Sequence, residues 1–196
     1  MSATEDSFAD FCAAYMKEAH QCLDLISRPD LDAIIASLWK AYEQRSRVWI
    51  AGNGGSATTA LHMACCLSQG TMVEGKPPFR AEALVSNISF LTAVANDHGY
   101  DHVFEYQLRN CLSAGDIFIA ISCSGNSPNV VAGAEYAKRA GGHTIGLLGF
   151  GGGKLLQICH QSLYIENYNY GHVESAHVFI SHLISQYLKQ RITELQ

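Results

Sequence analysis

Apolar positions in the first quarter of the chain recur at helical spacing. Phe8, Phe11, Cys12, Tyr15, Met16, Ala19, Leu23 and Ile26 share one face over about five turns. Ser27-Arg28-Pro29-Asp30 reads as the turn that ends this helix, with Asp30 placed to cap the next. Leu31, Ile34, Ile35, Leu38, Trp39 and Tyr42 then form the apolar face of a second helix. The hairpin over residues 1–46 thus carries wide apolar stripes. Such stripes suit packing on a neighbouring subunit, the expectation adopted here, or packing on the protein's own sheet.

From residue 47 the period changes. Short β-branched runs at 47–51, 81–86, 116–122, 143–148 and 163–165 predict strands, separated by helical patterns at 57–68, 89–96, after 127 through 139, and 172–192. Strand runs that are continuously apolar, and that alternate with helices, imply a parallel sheet covered on both faces. The expected fold is α/β, a flavodoxin-like three-layer αβα arrangement of five parallel strands. No linker, repeat or low-complexity tract interrupts it, so residues 1–196 read as one domain with a helical N-terminal extension.

Composition narrows the function classes. A chain of 196 residues with 48% apolar and 16% charged residues has room for a real core. A net charge of −5 argues against direct binding of nucleic acid. No apolar stretch is long enough to span a membrane, and the start of the chain lacks the pattern of a signal peptide. The seven cysteines are odd in number and mostly lie inside apolar patterns. They read as reduced core thiols of a cytoplasmic protein.

Two loops carry the candidate chemistry. Asn53, Gly54, Gly55 and Ser56 follow the first strand; Ser122, Cys123, Ser124 and Ser127 surround Gly125-Asn126 after the third. Each delivers small polar residues to a helix start, where free N–H groups and a partial positive charge hold phosphate. Glycine lets the backbone approach, and serine adds neutral donors. Both loops belong at the carboxyl edge of an open parallel sheet, where ligands bind. Neither is a Walker A or a G-x-G-x-x-G sequence.

The strings AGNGGSA (51–57) and ISCSGNSPN (121–129), with AVANDHGY (93–100) between them, resemble sugar isomerase (SIS) domains. The nearest subgroup is the phosphoheptose isomerases, which convert sedoheptulose 7-phosphate to D-glycero-D-manno-heptose 7-phosphate. The resemblance implies substrate contacts at Asn53, Gly54 and Gly55, and phosphate contacts at Ser56, Ser122, Cys123, Ser124 and Ser127. It places Asn96 and Asp97 beside the sugar. It also implies a homotetramer, and it leaves open a non-catalytic phosphosugar-binding or scaffold role, or another phosphosugar reaction in the same pocket.

His62 and Cys66 lie one turn apart on one helical face, and Glu174 and His182 two turns apart on another. His177 falls away from His182 and is the weaker candidate. The resemblance marks His62, Cys66, Glu174 and His182 as a zinc site. Where the subgroup has Glu at 66 and Gln at 174, this chain has Cys66 and Glu174. The four remain an acceptable zinc set. Isomerisation needs a base and an acid; the resemblance gives the acid to His182, and the base falls to Glu174, also a substrate contact, or to Cys66. Position alone suggests that Gly151–Gly153 form either a flexible loop near the pocket mouth or a plain strand-to-helix turn, and that Tyr168, Tyr170 and His172 line the pocket.

Overall fold

The computed structural model describes residues 7–195. Its strands β1 (Arg47–Ala51), β2 (Arg80–Ala83), β3 (Ile117–Ser122), β4 (His143–Gly149) and β5 (Gln161–Ile165) form one parallel sheet. The order across it is β2-β1-β3-β4-β5, the flavodoxin-like order, whose switch point lies between β1 and β3. Around it pack helices α1 (Phe8–Asp24), α2 (Arg28–Glu43), α3 (Gly55–Ser68), α4 (Ile88–His98), α5 (Val103–Cys111), α6 (Pro128–Arg139), α7 (Leu155–Ile158) and α8 (Tyr170–Thr193).

Successive strand side chains point to opposite faces, and here both faces are dry. Val48, Ile50, Ile117, Ile119 and Ile121 enter one core with α2, α3 and α8, while Trp49, Ala51, Phe118 and Ala120 enter a second with α4 to α7. β1 and β3 pair from Val48↔Ile117 to Ala51↔Ala120, so the loops that follow them leave the same edge. At the opposite edge the buried Asp116 fixes this register. Its carboxylate accepts from the backbone N–H groups of Arg47 (2.8 Å) and Ser113 (2.9 Å) and from the Trp49 indole (3.1 Å). Asp116 is therefore a latch before β3, not its first residue.

The two halves of the N-terminal hairpin differ. α2 buries Ile34, Leu38, Trp39 and Tyr42 on the protein's own core. α1 buries Cys22 alone among its residues and leaves Phe8, Phe11 and Met16 exposed, as is Leu25 just beyond it. Ser27, not Asp30, caps α2: its hydroxyl accepts from the Asp30 N–H, which puts Arg28, Pro29 and Asp30 in the first turn. Proline is welcome there because its missing N–H would have had no helical partner.

Other boundaries also moved. The predicted strand 81–86 stops at Ala83 because Leu84–Ser86 turn into a 3₁₀ segment. α3 begins at Gly55 rather than at residue 57. α5 went unpredicted because its short apolar face, Val103, Phe104 and Leu108, is interleaved with polar residues, of which Glu105 and Gln107 are buried with it. Both are satisfied within the helix, Gln107 on the Val103 carbonyl and Glu105 by Arg109. All seven cysteines are free, but only Cys22 and Cys123 are buried, and Cys65 is exposed. Among the described residues no helix is long and apolar enough to cross a membrane.

Candidate functional site

β1 and β3 deliver their loops to the starts of α3 and α6, and neither helix start carries a side-chain cap. Gly54, at φ +54°, precedes α3 and has no side chain to offer. Ser127 precedes α6 and does have one, but its hydroxyl lies 3.4 Å from Ser122 Oγ and makes no bond to its own helix. Ser122 Oγ also accepts from the Gly125 N–H at 3.1 Å, and Ser124 Oγ accepts from the Asn126 N–H at 3.2 Å. The second loop is a ring of hydroxyls and amides at a helix start that Ser127 leaves uncapped, although Pro128 brings no N–H and the Val130 N–H is taken by Asn129 Oδ1; such a ring suits an anion such as phosphate.

Ser56 and Cys123 join the loops from beneath. Cys123 is buried, and burial, with the nearby Glu174 charge, pushes its thiol up to about 11, while a hydrogen bond with Ser56 pulls it back. The Cys123 side chain belongs to the core, so a phosphate contact at this position would run through its backbone. Ser56 is itself 4% exposed and sits in the first turn of α3.

Glu174, in the second turn of α8, lies directly over Gly55; any Cβ at position 55 would fall inside its carboxylate. Position 55 must be glycine for Glu174 to reach the bare start of α3. Farther along the same stripe of α3, at i+7 and i+11 from Gly55, stand His62 and Cys66, facing His182 of α8. His62 Nε2 is 3.0 Å from His182 Nε2, and Cys66 Sγ is 3.4 Å from His62 Nε2 and 4.0 Å from His182 Nδ1. Helical side chains lean toward the N-terminus, so all three reach toward the Gly55–Glu174 end.

His62, Cys66 and His182 offer donor atoms within 4.8 Å of one another. Tetrahedral zinc with nitrogen and sulfur ligands needs donors about 3.3–3.6 Å apart, so the grouping and its chemistry fit that ion. Glu174 stands outside this triplet, beside the loops. Burial and the neighbouring Cys65 push the Cys66 thiol up, and a hydrogen bond with Ser185 lowers it.

Asn96 and Asp97 occupy the last turn of α4, exposed, with Asn96 Nδ2 donating to Asp97 Oδ1 at 2.8 Å. The chain just beyond is tied to the first loop: the Tyr100 hydroxyl donates to Asn53 Oδ1 at 2.9 Å. Asn53 also exchanges two hydrogen bonds with the buried Asn129 of α6, at 2.8 and 2.9 Å. Tyr100 and Asn129 carried no sequence expectation, although Asn129 closes the string ISCSGNSPN that marked the second loop.

Two positional expectations change. Gly151–Gly153 do not form a free loop at a pocket mouth: Gly152 and Gly153 pack on the second loop so tightly that a Cβ at Gly125 would fall on the Gly152 carbonyl. The Leu155 N–H donates to Gly125 O and the Lys154 N–H to Asn126 Oδ1, each at 3.0 Å. His172 is buried under the Tyr15 ring, centroids 4.1 Å apart, and docks α1 on α8. Tyr168 and Tyr170 are exposed and pack on Phe150. His177 is wholly buried against the Leu148 carbonyl, and burial pushes it down to about 4, the mark of a neutral core residue.

A 2-1-3-4-5 parallel sheet that presents two serine–glycine loops at its switch point defines an α/β domain built to hold a phosphorylated ligand. The SIS domain family matches residues 14–149. The phosphoheptose isomerase of Rhodospirillum rubrum is 38% identical over 138 residues, 70% of this chain and 73% of that one. The Aquifex aeolicus phosphoheptose isomerase is 34% identical over 165 residues, 84% of each chain. The structure of the Neisseria gonorrhoeae phosphoheptose isomerase superposes with a TM-score of 0.86 at 27% identity, covering 94% of this chain and all of the other. This chain belongs to the SIS domain family and, within it, to the phosphoheptose isomerases.

Proposed function

We propose that the protein is an aldose–ketose isomerase that converts sedoheptulose 7-phosphate to D-glycero-D-manno-heptose 7-phosphate through an enediol(ate). The observation that carries this reading is the meeting of Glu174 with the uncapped start of α3 at Gly55, next to the hydroxyl-lined second loop. Ser56, Ser122, Ser124 and Ser127, with the loop amides, hold the phosphate. Asn53 and Asp97 orient sugar oxygens, and Asn96 sets Asp97 by its hydrogen bond.

Glu174 is the better base. Its carboxylate already faces the loops, whereas Cys66 stands with His62 and His182 as a candidate zinc ligand, and a zinc-bound thiolate is a poor proton shuttle. Glu174 takes the proton from the carbon beside the carbonyl, and His182 serves the oxygen as acid. His62, Cys66 and His182 would hold zinc, which supplies a Lewis acid for the carbonyl oxygen. The exposed Phe8, Phe11 and Met16 of α1, with Phe179, Leu183 and Tyr187 of α8, favour assembly as a homotetramer.

The test is proton NMR of sedoheptulose 7-phosphate with the protein in heavy water, with and without added zinc. Deuterium entering the carbons beside the carbonyl, with heptose phosphate formation, is expected, and chelation should reduce it. Glu174→Gln should abolish exchange and Cys66→Ala should leave it measurable; the reverse result assigns the base to Cys66. Absence of exchange alongside ligand-induced stabilisation would replace this reading with a non-catalytic phosphosugar-binding or scaffold role, the one favoured by Cys66 standing where the subgroup carries a carboxylate.

A further inference from the structure

We infer that Asn129 and Tyr100 are positioning residues that lock the Asn53 amide as a donor-only contact for an oxygen of the sugar phosphate; this rests on the substrate reading above. The two ends of an asparagine amide are told apart by their hydrogen-bond partners. The Val130 backbone N–H, which can only donate, points at Asn129 Oδ1 at 2.9 Å. That contact fixes which end of Asn129 is oxygen. Asn129 is 1% exposed, so no water competes for it.

Orientation then passes to Asn53. Asn129 Oδ1 accepts from Asn53 Nδ2 at 2.8 Å, and Asn129 Nδ2 donates to Asn53 Oδ1 at 2.9 Å. The Tyr100 hydroxyl donates to the same Asn53 Oδ1 at 2.9 Å. A carbonyl oxygen has two lone pairs and an amide nitrogen two hydrogens. Both lone pairs of Asn53 are therefore occupied, and one N–H remains. A flip of Asn53 would set N–H against N–H and oxygen against oxygen at the Asn129 contacts, a double loss inside the protein.

The free N–H can serve only an acceptor: a carbonyl, a hydroxyl lone pair or an enediolate oxygen. Negative charge grows on such oxygens as the proton is removed, and a donor held in place beforehand stabilises that charge without reorganising. The helix start of α6 thus sets the polarity of a group on the first loop, through one buried side chain.

Two readouts test this. In ¹⁵N-resolved spectra of the full chain, Asn129→Ala should shift the Asn53 side-chain amide signals. In the isomerase assay the same variant should lower kcat about 10- to 100-fold with KM within about threefold. In an Asn53→Ala background it should change kcat by less than about twofold, because Asn129 acts through Asn53. Asn129→Asp, which keeps the Val130 bond but has no N–H for Asn53 Oδ1, should fall in the same direction and guards against misfolding of the alanine variant. Unchanged Asn53 amide signals, or effects that multiply in the double variant, would overturn the inference. If the wild type does not isomerise sedoheptulose 7-phosphate, the functional reading fails by itself. The amide signals then still decide the relay, and an unchanged spectrum overturns it.

Discussion

Ser27 and Ser127 hold the same place at the start of a helix, and they do different things. The Ser27 hydroxyl accepts from the Asp30 N–H and caps α2; the Ser127 hydroxyl ignores α6 and turns toward Ser122. The contrast extends across the molecule. α1, α2, α4 and α8 begin on Ser7, Ser27, Asn87 and Asn169, each accepting a hydrogen bond from its own helix. α3 and α6 do not. α5 and α7 also lack a side-chain cap, but α5 continues from a 3₁₀ turn at Tyr100–His102 and α7 has four residues. Four helices are capped by the side chain that precedes them, whereas the two that follow β1 and β3 lack that cap, as the proposed phosphate site would require.

The sharpest way to break this contrast is Gly55→Ala. The added methyl would displace the Glu174 carboxylate, and turnover should fall on the order of 100-fold, with the fold kept as judged by circular dichroism. A small effect in the isomerase assay would remove Glu174 from the reaction.

α8 carries the same division along its own length, with Glu174 and His182 toward the chemistry and His177 toward the core. His177 has its folded pKa lowered by burial, from 6.5 to about 4. Protonation therefore favours the unfolded chain. Stability is whole above about pH 6.5 and should drop by roughly 3 kcal/mol as pH falls to about 4. Urea unfolding across that window should show the slope in the wild type and a flatter one in His177→Gln.

The two serines give the direct comparison. Ser127→Ala should weaken binding of sedoheptulose 7-phosphate about tenfold by calorimetry while unfolding free energy stays within about 0.5 kcal/mol, because no cap bond is lost. Ser27→Ala should do the opposite, costing about 1 kcal/mol of stability with no change in affinity. If Ser127→Ala destabilised the fold as Ser27→Ala does, the division between capped and open starts would collapse.

The fold was legible because strands buried on both faces leave an unbroken apolar signature, as at 47–51 and 117–122, and because both loops sit where such strands end. α5 was hidden because buried polar residues that satisfy themselves within a helix look like surface. The site was legible where chemistry is local in sequence, at Ser122–Ser127 and at His62 with Cys66. It was illegible where partners come from distant segments. Glu174, above Gly55, was legible only through the family resemblance, and nothing near Asn53 announces Asn129, 76 residues on.

One consequence of the open helix starts concerns encounter rather than grip. The seat for the phosphate is made of amides and hydroxyls, and the chain as a whole carries a net charge of −5. Amide dipoles act over the first turn of a helix, well inside the Debye length of about 8 Å at physiological ionic strength. An anionic sugar in the proposed site would therefore be gripped only at short range and would not be drawn in from afar. Its capture rate should change little with added salt, the behaviour of a site that recruits by shape and leaves long-range attraction to others.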